Sequence, residues 1–136
     1  MLINGKCHCG QISFTAEIDA TRVVLCHCAD CQILSGSPFR TVAEAPAGTL
    51  KIQGAPKSYV FIQHGRHMEQ IFCPACGTPL YAMAQEDPTS IVVRLGCVEQ
   101  RAQLKPAMQI WQEFAMPWLA ELAAVPASPE LQGSPK

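Results

Sequence analysis

Eight cysteines in two spacing classes constrain this chain more than any other feature of it. They stand at Cys7, Cys9, Cys26, Cys28, Cys31, Cys73, Cys76 and Cys97. The opening segment MLINGKCHCG has no apolar stretch of signal-peptide length, so the expected compartment is the reducing cytoplasm. There clustered thiols favour metal over a disulfide scaffold.

The first set joins CHCG at Cys7–Gly10 to CPACG at Cys73–Gly77. Tetrahedral zinc holds each sulfur at about 2.3 Å. In C-x-C an extended backbone turns positions i and i+2 to one side. In C-x-x-C a tight turn does the same, and the glycine after it permits the positive φ with which the chain leaves the metal. Two such halves predict a closed structural zinc site of Cys7, Cys9, Cys73 and Cys76. His8, between two of the thiols, is expected to point outward.

The second set is CHCADC, with Cys26, Cys28 and Cys31 on one short loop. Three thiolates and an open fourth position is the arrangement zinc adopts where chemistry happens. There the metal can activate a thiol or water, or polarise a carbonyl. Three readings stay open at this point. The fourth corner is free, or it is closed by His27, His64, His67 or Cys97, or the loop is redox-labile and holds metal weakly. Two filled sites would take the net charge from −1 to about −4.

An apolar share of 49% and a charged share of 15% suit a packed core. No run of Lys or Arg stands out, which argues against nucleic-acid and polybasic membrane binding. Nowhere do about 18 apolar residues run together. Alternation in QISFTAEI, with Ile12, Phe14, Ala16 and Ile18 on one side, is the period-two mark of a half-buried strand. Further short β-like runs follow: RVVLC, PFRTVAEA, GTLKIQG, KSYVFIQ, MEQIFC, PLYAMA, SIVVRLG and MQIWQ. Gly, Pro, Asp and Ser punctuate them. The fold expected is mainly β, built of small antiparallel sheets, with helical pieces at Ala29–Leu34 and Pro117–Ala124. One domain is expected over 1–125, and a disordered Pro/Ser/Gly-rich tail over 126–136.

The segments GKCHCGQISF, CHCADCQILSGSPF, FCPACGTPLYA, VVRLG and IWQEFAMPW, in this order, resemble the glutathione-dependent formaldehyde-activating enzyme family, also called the centromere protein V type. The resemblance runs from about Gly5 to Trp118. It implies a β fold around zinc, similar to the Mss4-like arrangement, with one zinc on Cys7, Cys9, Cys73 and Cys76 and a second on Cys26, Cys28 and Cys31. It implies a carbon–sulfur lyase that joins glutathione to formaldehyde as S-(hydroxymethyl)glutathione, with Cys26, Cys28 and Cys31 holding the reactive metal. The partners implied are a small thiol and a small aldehyde. The alternatives are a non-catalytic zinc module that binds a partner protein, and a thiol redox or metal-handling protein.

Three departures from the family pattern bear on the ligand. Gly96-Cys97-Val98-Glu99 stands where the family has Gly, a small hydroxyl residue, Leu and Asp. Gln70 stands where a basic residue is usual, and Gln109 where a His is usual. Arg66, His67 and Arg94 are the basic candidates for a pocket that takes a carboxylate-bearing thiol, against a reading as solvated side chains. Ser35 and Ser37 read equally as a helix-ending turn and as a loop facing the metal pocket. Trp111 and Trp118 read as core side chains, with a lid over a ligand as the alternative. Cys97 reads as a small buried hydrophobe.

Overall fold

The computed structural model describes residues 1–129. Ten strands form two sheets: β1 (Leu2–Lys6), β2 (Ser13–Glu17), β3 (Val24–Cys26), β4 (Arg40–Pro46), β5 (Lys51–Gln53), β6 (Lys57–Gln63), β7 (Arg66–Phe72), β8 (Pro79–Ala84), β9 (Asp87–Arg94) and β10 (Met108–Ile110). The single α-helix among the described residues, α1 (Ala29–Ser35), follows β3. The three-stranded sheet runs β1-β2-β5 and the seven-stranded sheet β10-β3-β4-β9-β8-β7-β6. Neighbours are antiparallel except β10 and β3, so the larger sheet is mixed. The mainly β expectation holds.

Alternation sorts the larger sheet's side chains onto two faces. Ala43, Val93, Tyr81 and Ile71 sit opposite one another across β4, β9, β8 and β7, and all four are buried in the main core. Ile3, Phe14 and Ala16 of the smaller sheet join the same cluster. The other parity carries Cys26, Arg40, Val42, Arg94, Ala82 and Gln70. The site is built on that second face.

The two edges of the larger sheet come together. His64 follows edge strand β6 and Trp111 follows edge strand β10, and their rings stack at 4.3 Å and 7°. Both residues have positive φ, 50° and 55°, a conformation that non-glycine residues adopt at a cost of about 1 kcal/mol or more. The stack joins the ends of two strands that share no ladder.

Two expectations need correction, the helix at 117–124 and the burial of the two tryptophans, and one strand has no clear signal in the sequence. Strand β1 carries no clear alternation in LINGK, because Asn4 and Gly5 interrupt it, yet it pairs with β2 along its whole length. Residues 117–124 form no α-helix: Pro117 lies in a turn, and Leu119–Ala124 is a 3-10 segment with no buried residue. Trp111 and Trp118 are 39% and 46% exposed, so neither is a core side chain. A short amphipathic run with no facing element to cover it gains nothing from a full α-helical turn. The tail expected over 126–136 lies, from 130 onward, outside the described residues; 126–129 have no helix or strand. No helix among the described residues is long and apolar enough to cross a membrane.

Gly5 shows how tightly the sheets pack. It stands opposite Phe14 in the β1–β2 register, and a Cβ at position 5 would fall inside the Phe14 ring. The ring itself is 3% exposed and has nowhere to swing. Gly5→Ala should therefore lower unfolding stability by about 1–3 kcal/mol, the usual cost of overpacking. Urea titration checks it. Phe14→Leu in the Gly5→Ala background should recover part of the loss, whereas additive losses would disprove the clash.

Candidate metal centres and the chamber between them

The four-cysteine group is built from two turns. Gly10 N–H donates to the Cys7 carbonyl at 3.0 Å and Gly77 N–H to the Cys73 carbonyl at 2.8 Å. Gly77 carries the positive φ expected after C-x-x-C, 78°, and Gly10, after C-x-C, carries one as well, 83°. The C-x-C pair Cys7 and Cys9 sits on a turn, not on the extended segment expected, because β1 ends at Lys6. Sulfur separations are 3.6 Å for Cys7–Cys9 and 3.8 Å for Cys9–Cys73. Sulfurs bound tetrahedrally at about 2.3 Å stand about 3.8 Å apart, so this spacing fits an ion of zinc's size and donor preference. All four sulfurs lie within 4.8 Å of one another. Cys7 and Cys73 belong to the main core, at 1% and 0% exposure. His8 is exposed, as expected.

The three-cysteine group is a separate cluster on the second face. Cys26 ends β3, Cys28 caps α1 with its sulfur accepting from the Cys31 N–H at 3.3 Å, and Cys31 lies in the first turn. The three sulfurs lie within 4.8 Å of one another, all three residues are buried, and Ile110 packs against them. Each group could hold a metal ion, and all eight cysteines are free thiols. In the thiol state, a hydrogen bond from Cys26 and the Arg40 charge hold Cys31 at about 5, against the cost of burial. Cys26 is pushed up by the same hydrogen bond and by burial.

None of the side chains considered for the fourth corner belongs to the trio. His27 turns to the opposite side of β3, where its Nε2 meets Gln109 Oε1 at 2.7 Å. His64 stacks on Trp111, and His67 Nδ1 meets Glu86 Oε1 at 2.7 Å. The Cys97 thiol donates to the Arg94 carbonyl at 3.2 Å. Gln109, one of the departures from the family pattern, is thus the partner of His27.

A cavity of about 500 Å³ opens at the strand ends between the two sulfur groups. Lys6, Ser35, Ser37, Arg40, Arg94 and Cys97 are among its walls. None of the three cysteines lines it directly; Arg40 does, and its Nη2 donates to Cys31 Sγ at 3.2 Å. Ser35 serves both of its expected roles. Its hydroxyl donates to the Cys31 carbonyl at 2.5 Å near the helix end, where Gly36 adopts φ 64°, and it faces the cavity. Of the three basic residues singled out, Arg94 lines the cavity, whereas Arg66 and His67 do not. Arg40 and Lys6 were missed. Arg40 sits in the run PFRTVAEA, which reads as a half-buried strand, and only its register opposite Cys26 places it beside the sulfurs.

Gln70 links the two arginines. Its Oε1 accepts from Arg40 Nη1 and from Arg94 Nη2, each at 3.1 Å. It reaches both because Ala82, its partner on β8, leaves the space across the sheet open.

A family model described as glutathione-dependent formaldehyde-activating enzyme matches residues 2–113. The chain belongs to this family. It is also 31% identical over 77 residues to an uncharacterized lyase of Schizosaccharomyces pombe, a match covering 57% of this chain and 54% of that protein. The match therefore spans about half the length of that relative. The crystal structure of a Rhodobacter sphaeroides protein superposes with a TM-score of 0.62 at 21% identity, covering 78% of this chain and 98% of the other. That likeness concerns the fold alone.

Replacing Gln70 by Leu would take the shared acceptor from two buried guanidinium groups. Such a loss costs about 2 kcal/mol or more, because buried donors are left without partners. Chemical denaturation of Gln70→Leu should show a stability lower by at least that amount. An unchanged midpoint would mean that water already satisfies both arginines.

Proposed function

We propose that the chain is a zinc-dependent carbon–sulfur lyase-type enzyme that joins a thiol, glutathione in the first instance, to a small aldehyde such as formaldehyde. The observation that carries the reading is the three-sulfur group. Cys26, Cys28 and Cys31 converge on one point, and none of His27, His64, His67 and Cys97 joins them there. Membership of the family supports the thiol and aldehyde as substrates. Zinc bound by these sulfurs would supply Lewis acidity and a lowered pKa for a coordinated thiol.

The chain's own residues contribute position and charge. Cys28 and Cys31 are fixed by the α1 N-terminus, and Arg40 holds Cys31 through its guanidinium. The cavity wall at Ser35 and Arg40 would receive the body of the thiol substrate while its sulfur reaches the trio. Holding thiol and carbonyl together converts an encounter into a local event, and this proximity is the chief catalytic resource available. In the reaction the S–H bond breaks, a sulfur–carbon bond forms to the carbonyl carbon, and the proton ends on the former carbonyl oxygen. Cys7, Cys9, Cys73 and Cys76 would hold a second zinc that clamps the N-terminal turn to the β7–β8 connection. The proposed location is the cytoplasm, where glutathione is plentiful and thiols stay reduced.

Two variants separate the roles. Cys73→Ser should unfold the protein or strip the clamp, because metal affinity there is folding energy and Cys73 lies in the main core. Cys28→Ser should keep the fold and lose one of two zinc equivalents, because the trio is a satellite of the core. Circular dichroism with a metal count reads both. In cobalt-substituted protein, glutathione should change the sulfur-to-cobalt charge-transfer bands. A spectrum indifferent to glutathione would overturn the thiol reading, and a Cys28→Ser protein that unfolds globally would make the trio structural.

A further inference from the structure

Two guanidinium groups lie buried in the wall of the cavity with less negative charge facing them than they carry. Arg40 and Arg94 are each 6% exposed. Neither makes an ion pair with a carboxylate among the described residues, and no Asp or Glu lines the cavity. Their one shared acceptor, Gln70 Oε1, is neutral. Arg40 also donates to Cys31 Sγ, so its charge is answered by the sulfur group. Arg94 feels the same sulfurs at longer range but makes no hydrogen bond to any of them.

The donor count points the same way. Arg94 gives Nη2 to Gln70, while its Nε has no partner and its Nη1 makes no hydrogen bond among the described residues. Burial, together with the neighbouring Arg40 charge, pushes the Arg94 guanidinium down to about 9, so it is still charged at neutral pH. A buried cation without a counter-ion is costly, and proteins rarely keep one unless a ligand supplies the missing charge. Lys6 at the rim adds a further positive charge, and Ser37 and Thr41 offer hydroxyls.

We propose that this chamber is a carboxylate-binding subsite, in which Arg94, backed by Arg40 and Lys6, takes one carboxylate of a small-molecule ligand. The planar fork of a guanidinium matches a carboxylate in shape and charge. Three thiolates holding one zinc would carry one net negative charge against two guanidiniums, which leaves one positive charge for a single carboxylate to meet. Gln70 is the positioning residue. It holds both arginines in place without neutralising either, which a carboxylate at that position could not do. The usual basic residue there would add a third buried cation.

This subsite deepens the proposed thiol–aldehyde reading, since it gives the thiol substrate a carboxylate anchor; its test is kept independent of that reading. S-methylglutathione cannot offer a free thiol to metal, so its binding reports on the chamber alone. Calorimetry should find S-methylglutathione at least about tenfold tighter than its diethyl ester, the scale expected for one charge-assisted contact. In Gln70→Glu, a near-isosteric change that neutralises the arginine pair from within, the preference should collapse toward unity. In Lys6→Gln it should shrink without disappearing. Equal affinity of acid and ester for the unaltered protein would overturn the subsite, and so would a preference that survives intact in Gln70→Glu. Glutathione titrated into the cobalt-substituted protein reads the thiol step separately, so either proposal can fall while the other stands.

Discussion

A β-strand shows its side chains alternately to two faces, and the seven-stranded sheet uses that parity to keep two incompatible environments a few ångströms apart. One face is dry and apolar, with Ala43, Val93, Tyr81 and Ile71 against the smaller sheet. The other face gathers sulfur, guanidinium and amide at Cys26, Arg40, Arg94 and Gln70. A one-residue slip in any of these pairings would send a charge into the core and a valine or alanine into the site. The register of the ladders is therefore also the specification of the chemistry.

The two sulfur groups answer different structural demands. The four-cysteine group is continuous with the main core through Cys7 and Cys73, so whatever holds it also holds the smaller sheet to the β7–β8 connection. The three-cysteine group touches Ile110 and the side chains of Arg40 and Gln63, and it stands apart from the main core. Sulfur in the first setting is framework. In the second it stands beside charge and open space, where a ligand's chemistry can be felt.

Much of this was legible in the residues. Spacing alone partitioned seven cysteines correctly into the groups that come together, because ligand spacing is a local property and turns are local. Nine of the ten strands follow from short alternating runs between punctuation. The tenth, LINGK, was silent because its pairing is decided by Phe14 reaching across to Gly5, a contact between elements. Arg40 escaped for a similar reason, and Gln70 was marked only as a departure from the family pattern. Each sits in a strand whose pattern looks ordinary, and their meeting depends on a register spanning β4, β9, β8 and β7. Trp111 misled because bulk predicts burial on average, whereas here the indole is spent on a stack with His64.

That stack has a mechanical meaning. Strands β6 and β10 are the far ends of a ribbon seven strands wide, yet the rings that follow them lie face to face. The two ends of the ribbon are thus joined by an aromatic clasp instead of hydrogen-bonded rungs. Parting the two rings breaks no rung of any ladder, so this seam is held by side chains alone, the stack together with the hydrogen bonds from Gln63 to Asp30 and Cys28.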